Sequence, residues 1–136
     1  MHDVIQPDGW KPAKGYANGI MADGTLYLGG QIGWNAQQTF ERHDFVGQFE
    51  QTLANIRAIL DAAGSSPEHL VSMTAYVTDL DLYRQSLKAL GPIWRMHLGR
   101  VFPAMALVGV SGLVEEEALV EIQALAVIPP GAETAR

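Results

Sequence analysis

The 136-residue sequence predicts an α+β fold, a single mixed sheet with two helices on one face, in the order β-β-α-β-α-β-β. Three observations carry this. Phe45, Phe49, Leu53, Ile56 and Leu60 recur at spacings of three and four, the period of an amphipathic helix. Residues 69–79 and 118–128 alternate with a period of two, as strands do. The run VFPAMALVGVSGL, 101–113, is an apolar segment opened by a proline and closed by a glycine turn.

In chain order, a first strand is expected around YANGI, 16–20. MADG follows as a turn, with Asp23-Gly24 as the hairpin signal, and then a second strand, TLYLGGQI, 25–32. Residues 33–43 are polar and irregular. Asp44 can cap the first helix, its carboxylate accepting from the free N–H groups of the first turn, and Gly64 can end it in the left-handed conformation. In the third strand, Val71, Met73, Ala75 and Val77 are expected to face one way and Ser72, Thr74, Tyr76 and Thr78 the other. A second helix should start near Asp79 or Asp81 and run to about Leu98, with a kink or restart at Gly91-Pro92, because proline removes one intrahelical bond. In the last strand Val120, Ile122, Ala124, Ala126 and Ile128 share one face, and Glu121 and Gln123 share the other with Leu119, Leu125 and Val127.

The 101–113 strand is apolar on both faces, with Ala104, Ala106, Val108 and Val110 on one and Met105, Leu107 and Gly109 on the other. Two helices cover one side of a sheet. The other is expected to carry Met105, Leu107, Leu119, Leu125 and Val127, too much apolar area to leave in water. A second copy of the chain is the simplest cover. A third layer made by the N-terminal segment and the 33–43 loop is the alternative.

Composition bounds the partners. The length suits one domain, 1–136, with a core over about 16–128 and a tail at 129–136 expected to fray. The net charge of -6 repels phosphate backbones and anionic membranes, so neither nucleic acid nor a membrane is expected as a partner. The absence of cysteine removes disulfides, thiolate zinc sites and cysteine nucleophiles. No apolar leader or spanning run is visible, which points to a soluble, cytoplasmic protein. His2, His43, His69 and His97 have no metal-ligand spacing, so no metal is expected. GGQIG lacks the glycine spacing of a dinucleotide loop, and Ser111 has no triad pattern around it. Trp10 and Trp34 fall in irregular segments, where either can wall a cleft or cover the core.

From about Tyr16 to Ile128 the sequence resembles the YjgF/RidA family, the reactive-intermediate deaminases. LYLGGQIG is similar to the family's second strand, QTLANIRAILDAAGSS to its first helix, FPAMALVGVSGL to its Pro-Ala-Arg-Ser strand, and LVEIQALAVIP, with Glu121, to its last strand. The resemblance implies a chorismate-mutase-like fold, a homotrimer with ligand clefts between subunits, and hydrolysis of imines and enamines to ammonia and a keto acid without any cofactor.

The sequence departs from that pattern at two places. Met105 stands where the family has the arginine that grips the substrate's carboxylate, and Gly29 replaces the serine of the second-strand motif. A thioether cannot hold an anion, and losing a charge-assisted bond costs about 1.5–3 kcal/mol, tenfold to more than a hundredfold in affinity. Tyr16 and Glu121 are kept. Arg100 precedes the strand, and Arg95 and Lys88 lie on the second helix; each is either a replacement cation or a solvated surface residue.

Two classes of function follow. In the first, the chain is a divergent deaminase-type hydrolase for a substrate that is not a typical 2-imino acid. Glu121 positions or activates water, the backbone at Gly30 and Gln31 supplies polar contacts beside Tyr16, and Met105 and Leu107 form an apolar wall. In the second, the trimer is a binding or interaction module without chemistry, and Glu121 is a structural carboxylate.

Overall fold

The computed structural model describes residues 2–131; part of the tail expected to fray, 132–136, lies outside the described residues. Six strands form one sheet: β1 (Asp3–Ile5), β2 (Gly19–Ala22), β3 (Thr25–Ile32), β4 (Leu70–Val77), β5 (Ala104–Gly109) and β6 (Val120–Val127). Their spatial order is β1-β2-β3-β6-β4-β5, antiparallel throughout except for the parallel β4–β5 pair at one edge. Three helices, α1 (Phe45–Ala62), α2 (Leu80–Gln85) and α3 (Leu87–Leu98), fill the connections, and the fold is α+β as the sequence predicts.

The core lies between α1 and one sheet face. Phe45, Phe49, Leu53, Ile56 and Leu60 are buried against Leu26, Leu28, Met73, Ala75, Ile122 and Ala124. Asp44 caps α1, its Oδ2 accepting from Gly47 N at 3.0 Å. Gly64 follows α1 at φ +71°, and the β2–β3 turn places Asp23 and Gly24 at φ +49° and +79°, the two positive values that a two-residue hairpin turn requires. No helix among the described residues is long and apolar enough to cross a membrane.

Five expectations need correction. The first predicted strand starts at Gly19, so Tyr16 lies in the loop before it. A three-residue edge strand, β1, precedes it; three residues are too few to show a period. Val71 is 44% exposed rather than facing the core, because the β4–β6 register shifts between Leu70 and Ser72 and leaves it on a bulge. The second helix breaks at Ser86, not at Gly91-Pro92. Ser86 Oγ donates to Leu82 O at 2.7 Å and its backbone N–H also turns back into α2, whereas α3 runs unbroken through Pro92. Pro92 and Lys88 are both exposed, so the bond that the proline cannot make is lost on the solvent side of α3.

The fifth correction concerns the doubly apolar strand. β5 pairs in parallel with β4, Met73 opposite Met105 and Ala75 opposite Leu107. Residues in register share a face, so Met105 and Leu107 point to the helix side with buried Met73 and Ala75. The open face carries Ala104, Ala106 and Val108 instead, beside Tyr27, Leu125 and Val127. Tyr27, Val108 and Val127 are among its exposed residues.

Candidate functional site

A cleft of about 350 Å³ gathers Tyr16, Gly30, Gln31 and Glu121, with Trp34, Val114 and Glu115 contributed by loops. Glu121 reaches it because β6 alternates. Val120 and Ile122 are buried in the core, so Glu121 projects to the open face, in register with Tyr76 on β4 and Ile32 on β3.

The β3 wall is built around a register shift between Leu28 and Gln31. Gly29 and Gly30 occupy it, each for a steric reason. A Cβ on Gly29 would stand 2.7 Å from the Ala17 carbonyl oxygen, so the serine of the family pattern has no room without a backbone shift. A Cβ on Gly30 would overlap the Glu121 carboxylate, with Glu121 Cδ only 2.8 Å away. The bare backbone at Gly30 is what lets the carboxylate lie flat against the strand.

Buried amides hold both walls. Gln31 Nε2 donates to Asn18 Oδ1 and to Gly29 O, both at 3.1 Å, and Asn18 Nδ2 donates to Gln6 Oε1 at 3.0 Å. The Gln31 side chain is therefore committed to the bulge, and its backbone is what remains for a ligand. From α1, Asn55 Nδ2 donates to Ile32 O at 3.0 Å and Trp34 O at 2.8 Å, fixing the chain as it leaves β3. Gln48 donates to Glu117 O at 2.9 Å and accepts from Leu119 N at 2.8 Å, fixing the approach to Glu121. The only sequence signal of Gln48, Asn55 and Asn18 is a polar residue on the apolar face of a helix or beside a strand. Each is buried and bonded, as a polar group taken out of water must be.

The Glu121 carboxylate makes no hydrogen bond or ion pair with any described residue. Burial pushes its pKa above the usual carboxylate range. The Tyr16 hydroxyl is pushed up as well, first by burial and then by the negative charge of Glu115. The site therefore combines an untied carboxyl that holds its proton longer than a solvated one, a neutral phenol and the backbone of a bulged strand. Among the described residues, no three His, Asp or Glu side chains group to hold a metal ion.

Met105 and Leu107 do not line this cleft within one chain. Leu107 is half-buried against the core. Met105, 43% exposed, borders a separate apolar groove of about 300 Å³ between α3 and β5. Arg95 borders that same groove; Arg100 and Lys88 are exposed and border neither cavity.

The family model described as endoribonuclease L-PSP matches residues 7–128. A RutC family protein of Aquifex aeolicus is 33% identical over 129 residues, 93% of this chain and 99% of that protein. A 2-iminobutanoate/2-iminopropanoate deaminase of Capra hircus is 30% identical over 116 residues, 85% of this chain and 81% of that protein. A protein of unknown function of the conserved Rid family from Yersinia pestis superposes with a TM-score of 0.81 at 30% identity, covering 94% of this chain and all of that one. Together with the bulged β3, the Glu121 strand and the two-layer fold, these matches show that the chain belongs to the RidA/YjgF family, the endoribonuclease L-PSP proteins.

Proposed function

We propose that this protein is a divergent deaminase-type hydrolase acting on an imine or enamine that is not a typical small 2-imino acid. The observation that carries the reading is the Glu121 carboxylate: half-buried, raised in pKa and bonded to no described residue, in a cleft beside Gly30, Gln31 and Tyr16. The deaminase named in Capra hircus supports the reaction class.

The chemistry balances without an oxidant or cofactor. An enamine first takes a proton on its β-carbon and becomes the imine; water then adds across the C=N bond, the nitrogen takes a proton, the C–N bond breaks, and ammonia leaves a carbonyl behind. Glu121 accepts a proton from the attacking water and returns it to the departing nitrogen; its raised pKa brings it closer to the working pH than a solvated carboxyl. The backbone at Gly30 and Gln31 orients the substrate, with Tyr16 lining the cleft beside them.

The cleft is open on one side, and the open sheet face carries Tyr27, Val108 and Val127 in water. A homotrimer covers that face in this reading, and a neighbouring subunit supplies the Met105 and Leu107 edge as the apolar wall. Met105 cannot grip a carboxylate, which is why small 2-imino acids are poor substrates here. Ribonuclease activity does not fit this chain, because a net charge of -6 and the run Glu115 to Glu117 repel a phosphate backbone.

Glu121→Ala tests the reading. Turnover should vanish while analytical ultracentrifugation shows the assembly unchanged. Loss of the assembly first would make Glu121 structural and favour the binding module.

A further inference from the structure

By sequence, Trp10 and Trp34 can each wall a cleft or cover the core, and the structure separates them. Trp10 and Trp94 pack against the hydrophobic core. Trp34 and Phe40 do not; among the described residues the ring contact of each is with the other, centroids 5.9 Å apart and planes tilted by 49°. Two large half-buried rings paired away from the core are apolar surface that the fold itself does not use.

Trp34 stands where two cavities meet. It lines the Glu121 cleft of about 350 Å³ and also a second hollow of about 590 Å³, walled by Phe40, His43 and Glu115 to Glu117. Trp34, Val114 and Glu115 line both, so the hollow adjoins the cleft at the indole. A substrate the size of 2-iminopropanoate leaves the hollow empty, whereas cavities of these volumes suit ligands several times larger.

The junction is pre-formed. Buried Asn55 donates to Trp34 O at 2.8 Å. The turn between Trp34 and Phe40 is closed by Asn35. Its N–H donates to Thr39 O at 2.9 Å, and its Oδ1 accepts from Gln37 N at 2.9 Å and Thr39 N at 3.1 Å. Gln48 Nε2 donates to Arg42 O at 3.2 Å and to Glu117 O at 2.9 Å, tying the two rims of the hollow together. Walls held in this way lose little freedom when a ligand arrives. Among the described residues no lysine or arginine lines either cavity, and Glu115 to Glu117 repel an anionic arm. Two tilted rings offer a third ring both face and edge.

We propose that Trp34 determines the specificity of the Glu121 cleft: the substrate carries an uncharged aromatic arm that stacks on the Trp34 ring, backed by Phe40, while its C=N group lies at Glu121. The proposal rests on the hydrolase reading of Glu121 and adds to it the class of substrate and the direction in which the substrate extends.

Two measurements on the full chain test it. The first is ammonia release, above the uncatalysed rate, from freshly generated 3-phenylpropan-1-imine and propan-1-imine. Wild type should prefer the phenyl compound by about tenfold or more in kcat/KM, the contribution of one aromatic stack with its buried area. Trp34→Ala should erase most of that preference, and Trp34→Phe should keep most of it. The second is titration calorimetry with 4-phenylbutan-2-one, a ketone that releases no ammonia. It should bind wild type and Glu121→Gln saturably, and Trp34→Ala about tenfold more weakly. A preference between the two imines that survives in Trp34→Ala, or ketone binding indifferent to Trp34, overturns the proposal. Ketone binding that depends on Trp34 in a protein with no turnover upholds the platform and overturns the hydrolase reading alone. Turnover that collapses in Glu121→Gln but shows no preference for the phenyl compound overturns this proposal alone.

Discussion

The cleft at Glu121 and the groove at Met105 are built on two strands of one sheet, β6 and β5, with β4 between them, yet they have opposite chemistry. Glu121 sits on β6 among backbone polar groups and two other ionisable side chains, Tyr16 and Glu115. Met105 sits near the start of β5, an edge strand, among aromatic rings and one arginine. The difference comes from alternation. Glu121 pairs with Tyr76 and projects from the open face, while Met105 pairs with Met73 and projects toward the helices. Two positions that look equivalent in sequence, each on a strand near a turn, are thus sent to opposite sides of the sheet. One half of the molecule offers a proton-transfer group, and the other offers apolar contact and a cation.

Substitutions can break this contrast from either side. The largest effect is expected from Glu121→Gln, which keeps the shape and removes the titrating group. Turnover should fall by about a hundredfold or more, the usual share of a general acid–base group, with the melting temperature little changed. Kinetics alongside thermal melts check both halves. Met105→Arg would give the groove a second cation and the assembled cleft an anion grip. Turnover of 2-iminopropanoate should rise by about tenfold to a hundredfold, read as released ammonia. An unchanged rate would mean that Met105 does not reach the reacting centre in the assembly.

Gly30→Ala is a smaller and more local test. The added methyl must displace the Glu121 carboxylate, and overpacking of this kind costs about 1–3 kcal/mol. Denaturant unfolding should show the loss, and activity should drop with it. Gly91→Ala, by contrast, makes only an ordinary contact with Arg95 Nη1 at 4.0 Å and should leave stability unchanged or raised.

The smallest effect is on pH dependence. Glu121 has a folded-state pKa above its unfolded one, so the folded chain holds more protons in the window between them. Its contribution to stability is complete below the unfolded pKa and is lost as pH rises through the folded one. Wild type should therefore lose stability relative to Glu121→Gln as pH rises from the usual carboxylate range upward. Unfolding of both proteins across that range is the check; a constant difference would mean that Glu121 is not desolvated.

Much of the fold was legible because periodicity reports burial. The 3.6-residue pattern from Phe45 to Leu60 and the alternation from Val120 to Ile128 became a buried helix face and a buried strand face. What failed was information that no single segment carries. The face on which Met105 lies depends on the β4–β5 register, and an all-apolar strand has no alternation to announce it. Val71 was misplaced by a bulge, and the helix break fell at a serine whose hydroxyl turns back on its own helix rather than at the proline. In the candidate site, Tyr16, Gly30, Gln31 and Glu121 converge on one cleft, and their positions came from the family resemblance. Gln48, Asn18 and Asn55 hold that cleft through contacts as distant as Gln48 with Leu119, invisible to local pattern.

The most direct test of the account is ammonia release from freshly generated imines, comparing wild type with Glu121→Gln on 2-iminopropanoate and on a bulkier, apolar imine. The account predicts turnover of the bulkier substrate that collapses in Glu121→Gln, with weak or no turnover of 2-iminopropanoate. Rapid wild-type hydrolysis of 2-iminopropanoate, or turnover untouched by Glu121→Gln, would contradict it.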